Sequence, residues 1–271
     1  MQTLRIILFD GSYKTTPFIN RLAKGLAEKH QVFILGFNEK LQHPVDGVYY
    51  PPSPPPPLTD LTFNQAITDA LALDSTGNTA IPVYGVMSTW DVSQVTNMVN
   101  AFQYKTSFNA DISAWDTSNV TEMWNMFDGA TAFNQDIGSW NVSNVIKFGW
   151  MFNDAGTFNQ DLNSWDVSSA DTLYRMFRQA ASFNQPLNNW SFGPQLQVIS
   201  AMFQDATSFN QPLDNWSVNN ITSMGRMFED ATSYNQDLSG WNVALVTSCI
   251  DFSTGAAAWV DPKPTFTACT P

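Results

Sequence analysis

Tryptophan recurs at Trp90, Trp115, Trp140, Trp165, Trp190, Trp216 and Trp241, a spacing of 25 residues broken by one extra residue. A fixed period of this length means that one supersecondary unit is stacked on copies of itself, each burying an apolar face that it cannot bury alone. Two successive copies read DISAWDTSNVTEMWNMFDGATAFNQ (residues 111–135) and DIGSWNVSNVIKFGWMFNDAGTFNQ (residues 136–160). The apolar columns persist while the letters between them drift. The extra residue falls between Trp190 and Trp216, where Phe192, Gly193 and Pro194 loosen one turn.

Within a unit, Ile137, Trp140 and Val142 follow the L-x-x-L-x-L spacing of a leucine-rich repeat, which predicts a short parallel strand with Trp and Val turned inward. Ser143 then stands where a helix N-cap belongs. Val120, Met123, Met126, Phe127 and Ala130 keep the i, i+3, i+6, i+7, i+10 spacing of one helical face, predicting a helix of roughly ten residues. The competing register, with V-T-x-M on the strand, leaves the Trp-x-Val alternation without a role. The expected fold is therefore α/β: a leucine-rich-repeat-like solenoid of seven 25-residue strand–helix coils, preceded by a small βαβ segment.

Two columns of this coil are candidates for function or register. Asp91, Asp116, Asn141, Asp166, Ser191, Ser217 and Asn242 each stand between the inward Trp and the next inward position, so they are expected to line a concave sheet face as a polar strip, the candidate binding surface. Asn109, Asn134, Asn159, Asn184, Asn210 and Asn235 each follow an aromatic residue in the return loop, where stacked asparagines satisfy backbone groups of adjacent coils. Oxygen-rich Asn-Gln-Asp triplets could also suit calcium, but Pro186 and Pro212 replace the acid in two copies, so no metal is assigned. Trp124, Trp150 and Tyr174 lie just beside the core columns. If exposed, they could stack on sugars or anchor a protein; if not, they cover neighbouring coils.

Charge divides the chain. Residues 1–50 hold six Lys/Arg and four acids, 6 − 4 = +2, whereas the rest holds six basic and 20 acidic residues, 6 − 20 = −14. Such acidity argues against nucleic acid and anionic membrane as partners. No apolar run is long enough to insert into a membrane or to serve as a secretory signal peptide in this chain. Both histidines, His30 and His43, precede the repeats, and no Cys-His pair or Walker sequence is present. The chain is accordingly expected not to be an enzyme and to need no cofactor.

The first fifty residues follow different rules. Leu4–Phe9 and Gln31–Phe37 read as strands, with a helix from Thr16 marked by Phe18, Ile19, Leu22 and Leu26, together one βαβ unit. With its DGSYKTT loop after the first strand, this segment resembles the start of a two-domain nucleotide-sugar glycosyltransferase, over about fifty residues and without a donor-binding half. The proline-rich run of residues 51–58 reads as an extended linker. Residues 59–86, with helical signals in FNQAITDALAL, are expected to cap the stack, residues 87–248 to form it, and residues 249–271 to cap its other end. Trp259 lies outside the tryptophan ruler. Cys249, in the column of Met98, Met123 and Met224, and Cys269 in the tail are the two cysteines. Bridged, they would pin the tail over the last coil in an oxidising compartment; two isolated thiols are the alternative.

The repeating pattern W-[DN]-V-S-x-V-T-x-M-x-x-M-F-x-x-A-x-x-F-N-Q-D-[LI] resembles the BspA-like leucine-rich-repeat surface proteins of bacteria, over about residues 60–271. The resemblance implies a location at the cell surface or outside the cell and a role in adhesion or partner binding, with no catalytic residue carried over. The functional expectation is a non-catalytic, monomeric repeat scaffold for a protein or glycan partner. A truncated glycosyltransferase with a repeat appendage and a purely structural spacer are the alternatives.

Overall fold

The computed structural model describes the backbone of residues 5–10, 31–36 and 48–49 and all of residues 55–271. In the first part, β1 (Arg5–Asp10) and β2 (Gln31–Gly36) pair in parallel from Arg5 opposite Gln31 to Asp10 opposite Gly36. A two-residue β3 (Val48–Tyr49) pairs in parallel with the other side of β2. The helix expected from Thr16 and the loop after β1 lie outside the described residues.

From residue 90 the chain forms a stack of coils related by the 25-residue period, but the strand–helix coil expected of an α/β leucine-rich-repeat-like solenoid is not what it builds. Among the described residues the only α-helix is α1 (Asp60–Leu73), which precedes the repeats. Where a helix was expected, alternate backbone N–H groups leave the coil: those of Met123, Asn125, Phe127 and Gly129 donate to the carbonyls of Lys147, Gly149, Met151 and Asn153 in the next coil. The N–H groups between them close four-residue turns, Met126 onto Met123, Asp128 onto Asn125 and Ala130 onto Phe127. Each coil holds two left-handed residues four positions apart, as at Asn125 (φ 56°) and Gly129 (φ 69°), the second position recurring at Asp205 and Asp230. A helix tolerates neither feature, since it needs right-handed φ throughout and its own i−4 carbonyls. A chain of four-residue turns nevertheless turns every third or fourth residue inward, the same spacing a helix would show.

The expected Trp-x-Val strand is also absent. The backbone N–H of Trp115 bonds its own coil at Ile112, and that of Val145 bonds Val142, so this segment is another turn. Parallel bridging falls at single residues, Asn97, Glu122, Lys147, Thr172, Val198, Ser223 and Ser248, in the V-T-x-M register. Ser143 is not an N-cap; its N–H and hydroxyl both donate to Asn141 Oδ1. The extra residue of the fifth coil is absorbed at Gly193, where a Cβ would stand 2.2 Å from the Ser168 carbonyl oxygen.

The core runs down the middle as stacked aromatic columns. Phe127 stacks on Phe102 at 5.5 Å and Phe152 at 5.6 Å, and Trp115 on Trp140 at 6.3 Å with planes 2° apart. From Trp115 to Trp241 each indole of the 25-residue series also finds a partner one coil back: Trp140 Nε1 donates to Ile112 O at 3.1 Å and Trp190 Nε1 to Leu162 O at 2.8 Å. Trp259 belongs to a second column, that of Phe209 and Tyr234, and meets Tyr234 edge-on at 4.7 Å. Tyr234 is fully buried there with no partner for its hydroxyl, and burial, then Asp214, pushes its phenol well above the usual range. Tyr234→Phe should therefore stabilise the chain by about 1 kcal/mol in denaturant titrations, because an unpaired buried hydroxyl is removed; a loss of stability would show that the hydroxyl has a partner.

Helix α1 closes the N-terminal end. Phe63, Ala66, Ile67 and Ala70 face the core, and Phe63 meets Trp115 edge-on at 5.5 Å. Asp60 stands in for a missing coil. Where Thr121 N donates to the Thr96 carbonyl, Thr96 N instead donates to Asp60 Oδ1 at 2.8 Å, joined by its hydroxyl and by Asn97 N. Burial pushes the Asp60 carboxyl up, but these hydrogen bonds outweigh it and hold it below the ordinary value. A carboxyl depressed in the folded state contributes stability above the unfolded value, near 3.8, that is lost as pH falls through the lower folded value. Asp60→Ala should cost about 1 kcal/mol at pH 7, solvent screening included. The gap from the native chain should close in melts taken at strongly acidic pH; a pH-independent difference would remove the carboxylate from the account.

Candidate functional site

The seven strip residues are exposed, but no sheet carries them. Most of them brace tight turns. Asp91 Oδ1 accepts from Ser93 N and Oγ, Asp116 Oδ1 from Ser118 N, Asp166 Oδ1 from Ser168 N and Asn242 Oδ1 from Ala244 N. Ser217 accepts from Asn219, and the Asn141 turn is that of Ser143. The hydroxyl and backbone N–H of Ser118 and Ser168 hold the carboxyls of Asp116 and Asp166 below their ordinary value. A second row, Asp111 with Ser113 and Asp237 with Ser239, repeats the device. This pattern follows from short acceptors two residues before an N–H.

The loop asparagines form a continuous ladder. Asn109 Oδ1 accepts from Asn134 N, Asn134 Oδ1 from Asn159 N, Asn159 Oδ1 from Asn184 N, Asn184 Oδ1 from Asn210 N and Asn210 Oδ1 from Asn235 N, all at 2.8–2.9 Å. Asn235 Oδ1 passes the pattern to Val260 N and Asp261 N in the tail. Gln160 and Gln211 reach back onto the same asparagines. No group of three His, Cys, Asp or Glu among the described residues could hold a metal ion.

Sequence reasoning missed a second ladder, one residue after the core phenylalanines. Gln103 Nε2 donates to Asp128 Oδ2 at 2.9 Å, and Asn153 Nδ2 to Asp128 Oδ1 at 2.6 Å. Arg178 Nη1 donates to Asn153 Oδ1 at 3.4 Å and its Nε to Gln204 Oε1 at 3.0 Å, while Gln204 Nε2 donates to Glu229 Oε2 at 2.6 Å. Asp128 and Asn153 are buried, so these bonds satisfy groups that would be costly unpaired. The signal is a polar residue after every M-F pair, as in Asp128, Asn153, Arg178, Gln204 and Glu229.

The side of the stack just before this ladder keeps no single residue type from coil to coil. One column holds Val99, Trp124, Gly149, Tyr174, Ser200, Gly225 and Ile250; the next holds Asn100, Asn125, Trp150, Arg175, Ala201, Arg226 and Asp251. The six-membered ring of Trp124 covers Gly149, where a Cβ would stand 2.4 Å from it. Trp150 meets Tyr174 edge-on at 5.9 Å, and the Arg175 guanidinium carbon lies 4.4 Å from the Trp150 ring centre and 4.9 Å from that of Tyr174. Arg175 Nε is buried without a hydrogen-bond partner, and Arg175 forms none of the ion pairs among the described residues. Trp150 (φ 59°) and Arg175 (φ 57°) are left-handed, a conformation costing bulky residues about 1–2 kcal/mol each.

The family model described as "Mycoplasma protein of unknown function, DUF285" matches residues 74–190 and 172–262. The chain belongs to this family. In this DUF285 chain the matched region begins just after α1 and ends in the tail, so the coil stack is the family's unit, and the first fifty residues and α1 stand outside it. The description assigns the family no activity, and neither the BspA-like nor the glycosyltransferase resemblance is among the matches. No curated protein and no solved structure matches the chain. The described residues of this DUF285 protein include no helix long and apolar enough to cross a membrane, and Cys249 and Cys269 are joined by a disulfide.

Proposed function

We propose that the protein is a non-catalytic scaffold, working as a monomer at a cell surface or outside the cell, that binds a protein or glycan partner through the side of its coil stack. One observation carries this reading: the two columns that pass through Trp124 and Trp150 change chemistry from coil to coil, while the turn-bracing acids, the asparagine ladder and the aromatic core repeat. Half-buried side chains that vary from coil to coil on a rigid framework are where a repeat protein carries its individual recognition. The disulfide supports an oxidising location.

Neighbouring coils supply substitutions that the fold already accepts. Trp124→Gly, Trp150→Asn, Tyr174→Ser and Arg175→Ala each install the residue found one coil away. On a glycan and cell-surface protein array the native chain should give a ligand that the fourfold variant loses. A ligand kept by that variant would move recognition elsewhere, and no ligand at all would leave a structural spacer.

A further inference from the structure

We infer that Trp150, Tyr174 and Arg175 form a subsite for a saccharide bearing a single carboxylate, such as a glycan ending in a sialic or uronic acid. This inference rests on the reading of that face as a binding surface and names its ligand class. Arg175 is a cation lying against the rings of both Trp150 and Tyr174, with Nε withdrawn from solvent and no carboxylate partner among the described residues. Its neighbours use their charges internally: Lys147 pairs with Asp171, Arg178 serves the polar ladder, and Arg226 approaches Asp251 at 3.6 Å. A guanidinium fixed by stacking presents its remaining N–H groups as a planar fork, the geometry that takes a carboxylate in two parallel hydrogen bonds.

The rings supply the rest. Indole and phenol surfaces offer rigid apolar contact with a polar edge, which suits the C–H faces and hydroxyls of a pyranose. Trp124, one coil from Trp150, extends this surface, so the patch spans the three coils holding Trp124, Trp150 and Arg175. At a spacing of roughly 4.8 Å per coil the three are about 10 Å apart from first to last. That length is the scale of a short oligosaccharide, whereas the roughly 800 Å² that a stable protein partner buries on each side is a patch about 28 Å across.

Charge narrows the ligand further. The chain carries a net −12, which repels a polyanion such as a heavily sulfated glycan, whereas a single carboxylate matches the single guanidinium of Arg175.

The test measures 3′-sialyllactose and lactose binding to the full chain by saturation-transfer NMR and calorimetry. The native protein should prefer the sialylated sugar by about tenfold or more, the effect of one charge-assisted bidentate contact. Arg175→Ala should erase that preference, and Trp150→Asn should weaken both sugars. Unchanged melting would show that the stack is intact, as expected because Ala201 and Asn125 occupy the same column natively. Equal affinity for the two sugars, a preference that survives Arg175→Ala, or no saccharide binding overturns the inference. A protein ligand found on the same face by the array would overturn it while sparing the scaffold reading; no ligand of any kind would remove both.

Discussion

Trp165→Ala is expected to cost about 3–5 kcal/mol, the range for removing a buried aromatic from a packed core. Trp165 is 3% exposed and packs against Phe148 at 6.1 Å and Phe152 at 6.3 Å. Its indole donates to Ile137 O at 3.1 Å, so truncation both opens a cavity and strands a buried carbonyl. Trp165→Phe separates the two effects. It keeps most of the apolar volume and should cost about 1–3 kcal/mol through the unpaired carbonyl. The loss belongs to two junctions at once, because a mid-stack coil is stabilised by both neighbours. Equilibrium denaturation followed by tryptophan fluorescence measures both variants. A cost below about 1 kcal/mol for Trp165→Ala would mean that the indole column is not the axis of the core.

The tryptophan period located every junction in the stack because the repeat is a statement about packing, and packing follows inward columns whatever the backbone does between them. Val120, Met123, Met126, Phe127 and Ala130 are all buried, yet no helix holds them. Spacing could not separate the two backbones, since successive four-residue turns and a helix turn the same residues inward. What decides is a hydrogen bond to a residue about 24 positions away, which no local pattern displays. A clue lay in Gly129 and in the acids Asp154, Asp205 and Asp230 of the same column, residues that accept left-handed φ more readily than most. It was masked by Gln179 and Tyr104, which share that column. Trp259, outside the tryptophan ruler, stands 25 residues after Tyr234 and so keeps the same period in another column.

The candidate site was legible only in part. Trp124, Trp150 and Tyr174 stand out as aromatic residues beside the core columns, but Arg175 gains its meaning from Trp150, one coil earlier. The strip residues failed as a concave face because their acceptors are spent on N–H groups two positions ahead, a use that Asp-x-Ser and Asn-x-Ser spacings announce locally.

Reducing the Cys249–Cys269 bridge should cost about 3 kcal/mol, the chain-entropy effect for a closed loop of this size, with 20 positions between the cysteines. The loss should begin at the C-terminal end. The tail stands there in place of another coil: Pro262 O accepts from Leu238 N, Phe266 meets Phe252 edge-on at 5.0 Å, and Trp259 closes the column of Phe209 and Tyr234 while also meeting Phe228 edge-on. Without the bridge, the remaining contacts must order the tail by themselves. Because each coil leans on its neighbours, freeing the tail should fray coils in sequence rather than melt the whole stack. Hydrogen exchange with and without reductant should therefore quicken first over residues 241–256 while residues 98–127 stay protected. Cys269→Ser should reproduce the pattern, and more cleanly than Cys249→Ser, which also puts a hydroxyl into the buried methionine column. Uniform acceleration along the stack would instead make the coils one cooperative unit, with the bridge acting on all of them at once.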